Sequence, residues 1–97
     1  MLKLFVILKK KNMTEKELIE LGFQREDVSA EESGNTSYYY YLYYLTDGCI
    51  FTSNANDEVE NNDWFVYEED FLCITTNSYK NVKAFINAFH DIINDKQ

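Results

Sequence analysis

Few residues in this chain are of a type that could carry acid–base or nucleophilic chemistry. His90 is the single histidine, and Cys49 and Cys73 are the only cysteines. A nucleophilic thiol needs a base within hydrogen-bond reach. No histidine lies near either cysteine in sequence, and the two do not form a C-x-x-C pair. They read as reduced thiols in strands of a cytosolic protein. His90 falls on the flank of a helical apolar stripe, beside Ile86, which is a boundary position. No G-x-S-x-G, H-E-x-x-H or phosphate-binding loop occurs. Carboxylates are plentiful but lie in loops, where no apolar surroundings would separate the pKa values of an acid and a base. The segment N-A-N-D-E-V-E-N-N-D, residues 54–63, is rich in oxygen ligands but lacks the glycine-containing frame of a calcium loop. The sequence therefore predicts a non-enzymatic protein with no catalytic residue, no metal site and no cofactor.

Binding chemistry is better represented. Residues 37–48 read S-Y-Y-Y-Y-L-Y-Y-L-T-D-G, a strand-like run dominated by tyrosine. Alternate residues of a strand face opposite sides. Tyr38, Tyr40, Leu42 and Tyr44 point one way, and Tyr39, Tyr41, Tyr43 and Leu45 the other. Each set holds three tyrosines and one leucine, so periodicity does not choose the buried face. Tyrosine suits a wet sheet face, having high strand propensity, an apolar body and a polar tip. It is also enriched in the cores of protein interfaces. Base stacking is the competing use, but it pairs aromatics with a positive groove. Between Glu26 and Tyr79 there are acids in every loop and no lysine or arginine. Phosphate would be repelled there.

The acids cluster as Glu26, Asp27, Glu31 and Glu32, then Asp57, Glu58, Glu60 and Asp63, then Glu68, Glu69 and Asp70. Basic residues sit towards the two ends, and the net charge is −8. Such a field keeps a small protein soluble and attracts a basic surface. The candidate contact set is Tyr39, Tyr41 and Tyr43 with Asp57, Glu58, Glu60, Asp63, Glu68, Glu69 and Asp70. The expected partner is a basic nucleic-acid-binding host protein, with no direct nucleic acid and no membrane. The alternative is a small assembly protein that dimerises through its tyrosine sheet.

These residues must be positioned by few elements. Ninety-seven residues suit one domain. Thr14-x-x-Glu17 is a capping box, Met13 and Leu18 are spaced as a hydrophobic staple, and Gly22 suits the left-handed end of a helix over 14–21. Residues 24–36 read as a polar loop. Strands follow at 37–46, 49–55, 63–68 and 71–76. Asp47-Gly48 makes a two-residue hairpin turn, placing Leu45 opposite Ile50 and Tyr44 opposite Phe51. A second tight turn at Glu69-Asp70 would place Tyr67 opposite Leu72 and Phe65 opposite Ile74. From Tyr79 the period becomes helical, with Val82, Phe85, Ile86, Phe89, Ile92 and Ile93 on one side and Asn77 or Ser78 as cap. The expected fold is α+β, in the order α-β-β-β-β-α: a four-stranded antiparallel meander flanked by a short and a long helix.

Residues 1–12 fit neither a membrane span nor a signal peptide. They read as an arm or leader before a domain at 13–97, and the expected location is cytoplasmic. M-T-E-K-E-L-I-E-L-G-F at 13–23, D-V-S-A-E-E-S-G at 27–34 and S-N-A-N-D-E at 53–58 resemble a group of small uncharacterised proteins of bacterial phages and mobile elements. The resemblance covers roughly residues 13–93 and favours Met13 as the usual start. It carries over no catalytic residue. Small acidic phage proteins include inhibitors of host defence, anti-CRISPR proteins among them, so the resemblance implies an inhibitor of a target such as an RNA-guided CRISPR effector.

Overall fold

The computed structural model describes residues 12–95, with side chains through Ile92. Most of the N-terminal arm or leader, and Ile93 at the side-chain level, lie outside the described residues. Helix α1 (Glu15–Leu21) forms where its end signals stand. Thr14 Oγ1 accepts from the amide of Glu17 at 3.2 Å, and Glu17 Oε1 accepts from the amide of Thr14 at 2.9 Å. Gly22 ends the helix at φ 102°, and the amide of Phe23 returns to the carbonyl of Leu18. That left-handed turn sends the chain straight back as strand β1 (Gln24–Val28). A single helical turn, α2 (Ala30–Ser33), follows. The long tyrosine strand β2 (Tyr38–Thr46) leads through Asp47-Gly48 to β3 (Cys49–Ser53). A 3-10 turn (Asn56–Glu58), strands β4 (Val66–Glu68) and β5 (Ile74–Thr76) and helix α3 (Tyr79–Asp95) complete the chain.

The five strands form one antiparallel sheet in chain order. The domain is therefore a small compact α+β unit with five strands and three helices, one strand and one helix more than expected. Both additions fall in residues 24–36, the expected loop. Strand β1 reads Gln-Arg-Glu-Asp-Val and shows no apolar alternation, because it is an exposed edge whose side chains are not core. Charged edges of this kind discourage sheet-to-sheet aggregation. Helix α2 has a capping box of its own: Ser29 Oγ accepts from the amide of Glu32, and Glu32 Oε1 from that of Ser29.

Both expected registers shift. A bulge between Tyr44 and Thr46 absorbs a residue, so Tyr44 pairs with Ile50, Tyr43 with Phe51 and Thr46 with Cys49. In the second hairpin Glu68 pairs with Ile74 and Tyr67 with Thr75. The reason is chemical. The Glu68 side chain turns inward, 2% exposed, and accepts the amides of Phe71 at 2.9 Å and Leu72 at 2.6 Å. Wrapping residues 69–73 around this carboxylate makes a five-residue loop instead of a tight turn, with Cys73 held at φ 54°.

The helices cover one face of the sheet. Leu18 of α1, Val82 and Ile86 of α3, Met13 and Phe23 close over Tyr41, Leu45, Cys49, Phe51, Trp64 and Val66. Phe51 is wholly buried, and its ring meets Phe85 edge-on at 6.0 Å between centroids. Ser78 caps α3 by accepting from the amide of Asn81 at 3.2 Å.

Candidate functional site

Residues directly opposite in a ladder share a face. Arg25 with Tyr41, Tyr43 with Phe51, and Ser53 with Val66 therefore trace the face under the helices. Glu26 with Tyr40, Leu42 with Thr52, Thr52 with Tyr67, and Tyr67 with Thr75 trace the other. The expected contact tyrosines belong to the first set. Tyr41 is 3% exposed, and its hydroxyl donates to Glu15 Oε2 at 2.7 Å. Burial, then the hydrogen bond and negative charge of Glu15, push its phenol above the ordinary tyrosine range. Tyr39 stacks on Trp64 at 6.2 Å. Tyr43 packs on Phe23 at 5.3 Å, and its hydroxyl oxygen lies 3.2 Å from His90 Nε2. His90 thus ties α3 to β2 at the boundary of the helix stripe.

The open face carries Tyr38, Tyr40, Leu42 and Tyr44 of β2, Ile50 and Thr52 of β3, and Tyr67 of β4. Among the described residues no helix lies over it. Tyr44 is 60% exposed, and the rings of Tyr38 and Tyr40 stand 6.4 Å apart. Burial among neighbouring rings, then the charge of Glu26, raises the Tyr40 phenol above its ordinary value. Burial, then Glu69 and Glu58, does the same to Tyr67. Acids from three separate places, β1, the 3-10 turn and the β4–β5 loop, therefore act on the tyrosines of this face.

The acidic candidates divide in the same way. Asp57, Glu58, Glu60, Glu69 and Asp70 are exposed. Asp63 is half-buried, and its Oδ1 accepts from Asn77 Nδ2 at 3.0 Å, anchoring the start of α3. Glu68 is a structural group. Burial opposes its ionisation, but the amides of Leu72, Phe71, Cys73 and Asp70 outweigh this and hold its carboxyl below the usual range. Burial, then the charge and a hydrogen bond of Glu68, raise the Cys49 thiol. Cys49 is buried and Cys73 exposed, both free.

The oxygen-rich stretch after β3 holds backbone together. Where β3 ends, Ser53 Oγ accepts the amide of Tyr41 at 2.8 Å and Asn56 Oδ1 the amide of Tyr39 at 2.7 Å, continuing the ladder with side chains. Asn54 Oδ1 accepts from the amide of Phe65 at 3.1 Å. Asn61 and Asn62, at φ 55° and 57°, turn the chain between Glu60 and Asp63. Among the described residues no group of three His, Cys, Asp or Glu could hold a metal ion. None of the described helices is long and apolar enough to cross a membrane.

Tyr38, Tyr40, Leu42, Tyr44 and Tyr67 are the surface residues that periodicity alone did not select. The signal lay in the pairing partners. Phe51 is wholly buried, and the tyrosine paired with it, Tyr43, lies on the core face. Comparison with protein-family models, with curated proteins and with solved structures finds no match for the chain.

Proposed function

We propose that this chain is a non-enzymatic interaction module that docks its open tyrosine face on a basic, nucleic-acid-handling protein. The observation that carries the reading is the union of an uncovered aromatic face with acids on three of its sides. Aromatic rings supply contact energy once water is excluded, and a surrounding acidic field speeds encounter with a basic surface. The same field opposes nucleic acid as the direct ligand. The contact set in this reading is Tyr38, Tyr40, Tyr44 and Tyr67, framed by Glu26, Asp57, Glu58 and Glu69. Tyr39, Tyr41 and Tyr43 support it from beneath. The resemblance to small phage and mobile-element proteins favours an inhibitor of host defence, with an RNA-guided CRISPR effector as the candidate target. Face-to-face dimerisation is the poorer use of this surface, since it would bring two acidic rims together.

The test is capture on the tagged full chain from lysates of bacteria carrying candidate effectors, with and without nuclease. The reading expects a basic nucleic-acid-binding protein in both samples, with binding that weakens as salt rises. Capture only without nuclease would mean that RNA or DNA bridges the two, and would overturn it. Recovery of the untagged chain alone would favour the dimer.

A further inference from the structure

At one end of the open face the sheet and the 3-10 turn enclose a groove of about 520 Å³, lined by Tyr38, Tyr40, Thr52, Tyr67, Asp57 and Glu58 among others. Its size is within the range of small-ligand pockets and well beyond a single metal ion. Its chemistry repeats an arrangement used elsewhere in the same molecule. On the helix side of the sheet, the Arg25 guanidinium carbon lies 3.6 Å from the centroid of the Tyr39 ring. Its Nε donates to Asp27 Oδ1 at 3.0 Å. A tyrosine ring and a carboxylate together thus hold an arginine on the outside of this protein.

The groove supplies both parts and lacks the cation. No lysine or arginine occurs between Glu26 and Tyr79, and the one ion pair among the described residues is Arg25 with Asp27. Glu58 Oε1 accepts the amide of Ala55 at 2.9 Å, which fixes that carboxylate at the rim. Its Oε2 has no partner among the described residues. The charge of Glu58 also reaches Tyr67, so ring and carboxylate act on one space. We infer that the groove is a socket for an arginine side chain of the basic partner, its guanidinium stacked on the Tyr38–Tyr40 rings and facing Asp57 and Glu58. The inference rests on the interaction reading of the open face and specifies what that face grips. Arginine fits better than lysine because its planar, weakly hydrated head stacks on an aromatic ring while donating sideways to a carboxylate.

The test is an NMR titration of the full chain with acetyl-Gly-Arg-Gly-amide, against the same peptide carrying citrulline. Citrulline keeps the shape and removes the charge. The socket predicts shifts at the Tyr40 and Tyr67 rings and the amides of Ala55 and Asp57, saturating in the arginine series and at least about tenfold weaker with citrulline. The double variant Tyr40→Leu with Asp57→Asn should lose the arginine response about tenfold while keeping its melting temperature. Equal responses to the two peptides, no response, or shifts centred on Glu31–Glu32 or Glu69–Asp70 would overturn it. Capture separates the socket from the broader reading. A partner retained equally by wild type and the double variant sinks the socket alone. A wild type that captures nothing, yet answers the arginine peptide, leaves the socket standing and sinks the partner.

Discussion

The two faces of strand β2 are built from the same residue type and have opposite fates. Tyr39, Tyr41 and Tyr43 lie among Trp64, Phe23, Phe51 and the helices. Tyr38, Tyr40 and Tyr44 pair with Val28, Glu26 and Ile50, and no described helix packs over them. Residue type therefore did not decide burial, and neither did the immediate ladder partner, since Tyr39 and Tyr41 pair with Asp27 and Arg25; the apolar residues packed over one face did. Phe51 and Val66 commit one face to the core, and the helices follow the apolar side. The difference also sorts the tyrosine hydroxyls. Tyr41 donates to a fixed carboxylate, Glu15, whereas Tyr40 and Tyr67 merely stand in the field of nearby acids.

Substitutions at matched positions sharpen this comparison. Phe51→Ala removes the central ring of the covered face and should cost about 3–5 kcal/mol in denaturant unfolding. Tyr44→Ala on the open face should stay within about 0.5 kcal/mol of wild type. Comparable losses at the two positions would erase the distinction. Next in size is Gly22→Ala. A side chain at φ 102° is strained, and its Cβ would stand 3.3 Å from the Tyr43 ring. The expected loss is about 1–2 kcal/mol, read from the same unfolding curves.

The acid limb of stability tests the inner acid. Glu68 titrates in the folded protein below its ordinary value of 4.5. A depressed carboxyl stabilises the fold above its unfolded pKa and loses that contribution as pH falls through the folded value. Melting temperature should therefore drop below about pH 4.5, and Glu68→Gln should start lower at pH 7 and show a shallower acid decline. The smallest effect is kinetic. In the folded protein a thiol reagent should modify Cys73 promptly and Cys49 only on unfolding, since Cys49 is buried with a raised pKa.

The elements legible in sequence were those whose ends or periods are local. Thr14, Glu17 and Gly22 marked α1, and Val82 and Ile86 marked the buried side of α3. Strand β1 was hidden because its five residues owe their strand form to pairing with the tyrosines, and carry no apolar alternation. Ser29-x-x-Glu32 followed by Gly34 repeated the helix signature of α1, but with no apolar residue to dock, so it makes a single exposed turn. The exposed face of β2 was readable as a pair of alternatives. Choosing between them required the bulge at Leu45, which moves the partner of Phe51 from Tyr44 to Tyr43. The inward turn of Glu68 was equally invisible, because an acid beside two other acids reads as solvent-facing until the amides of residues 71–73 are placed around it.

The most direct test of the central claim compares the faces in one binding experiment. Wild type, the open-face variant Tyr40→Ser with Tyr44→Ser, and the covered-face variant Tyr43→Phe are used to capture the basic partner from nuclease-treated lysate, after each is shown to melt as a folded protein. The account predicts that the open-face variant loses the partner while Tyr43→Phe keeps it. Retention by the open-face variant, with its fold intact, would contradict the assignment of the open tyrosine face as the contact surface.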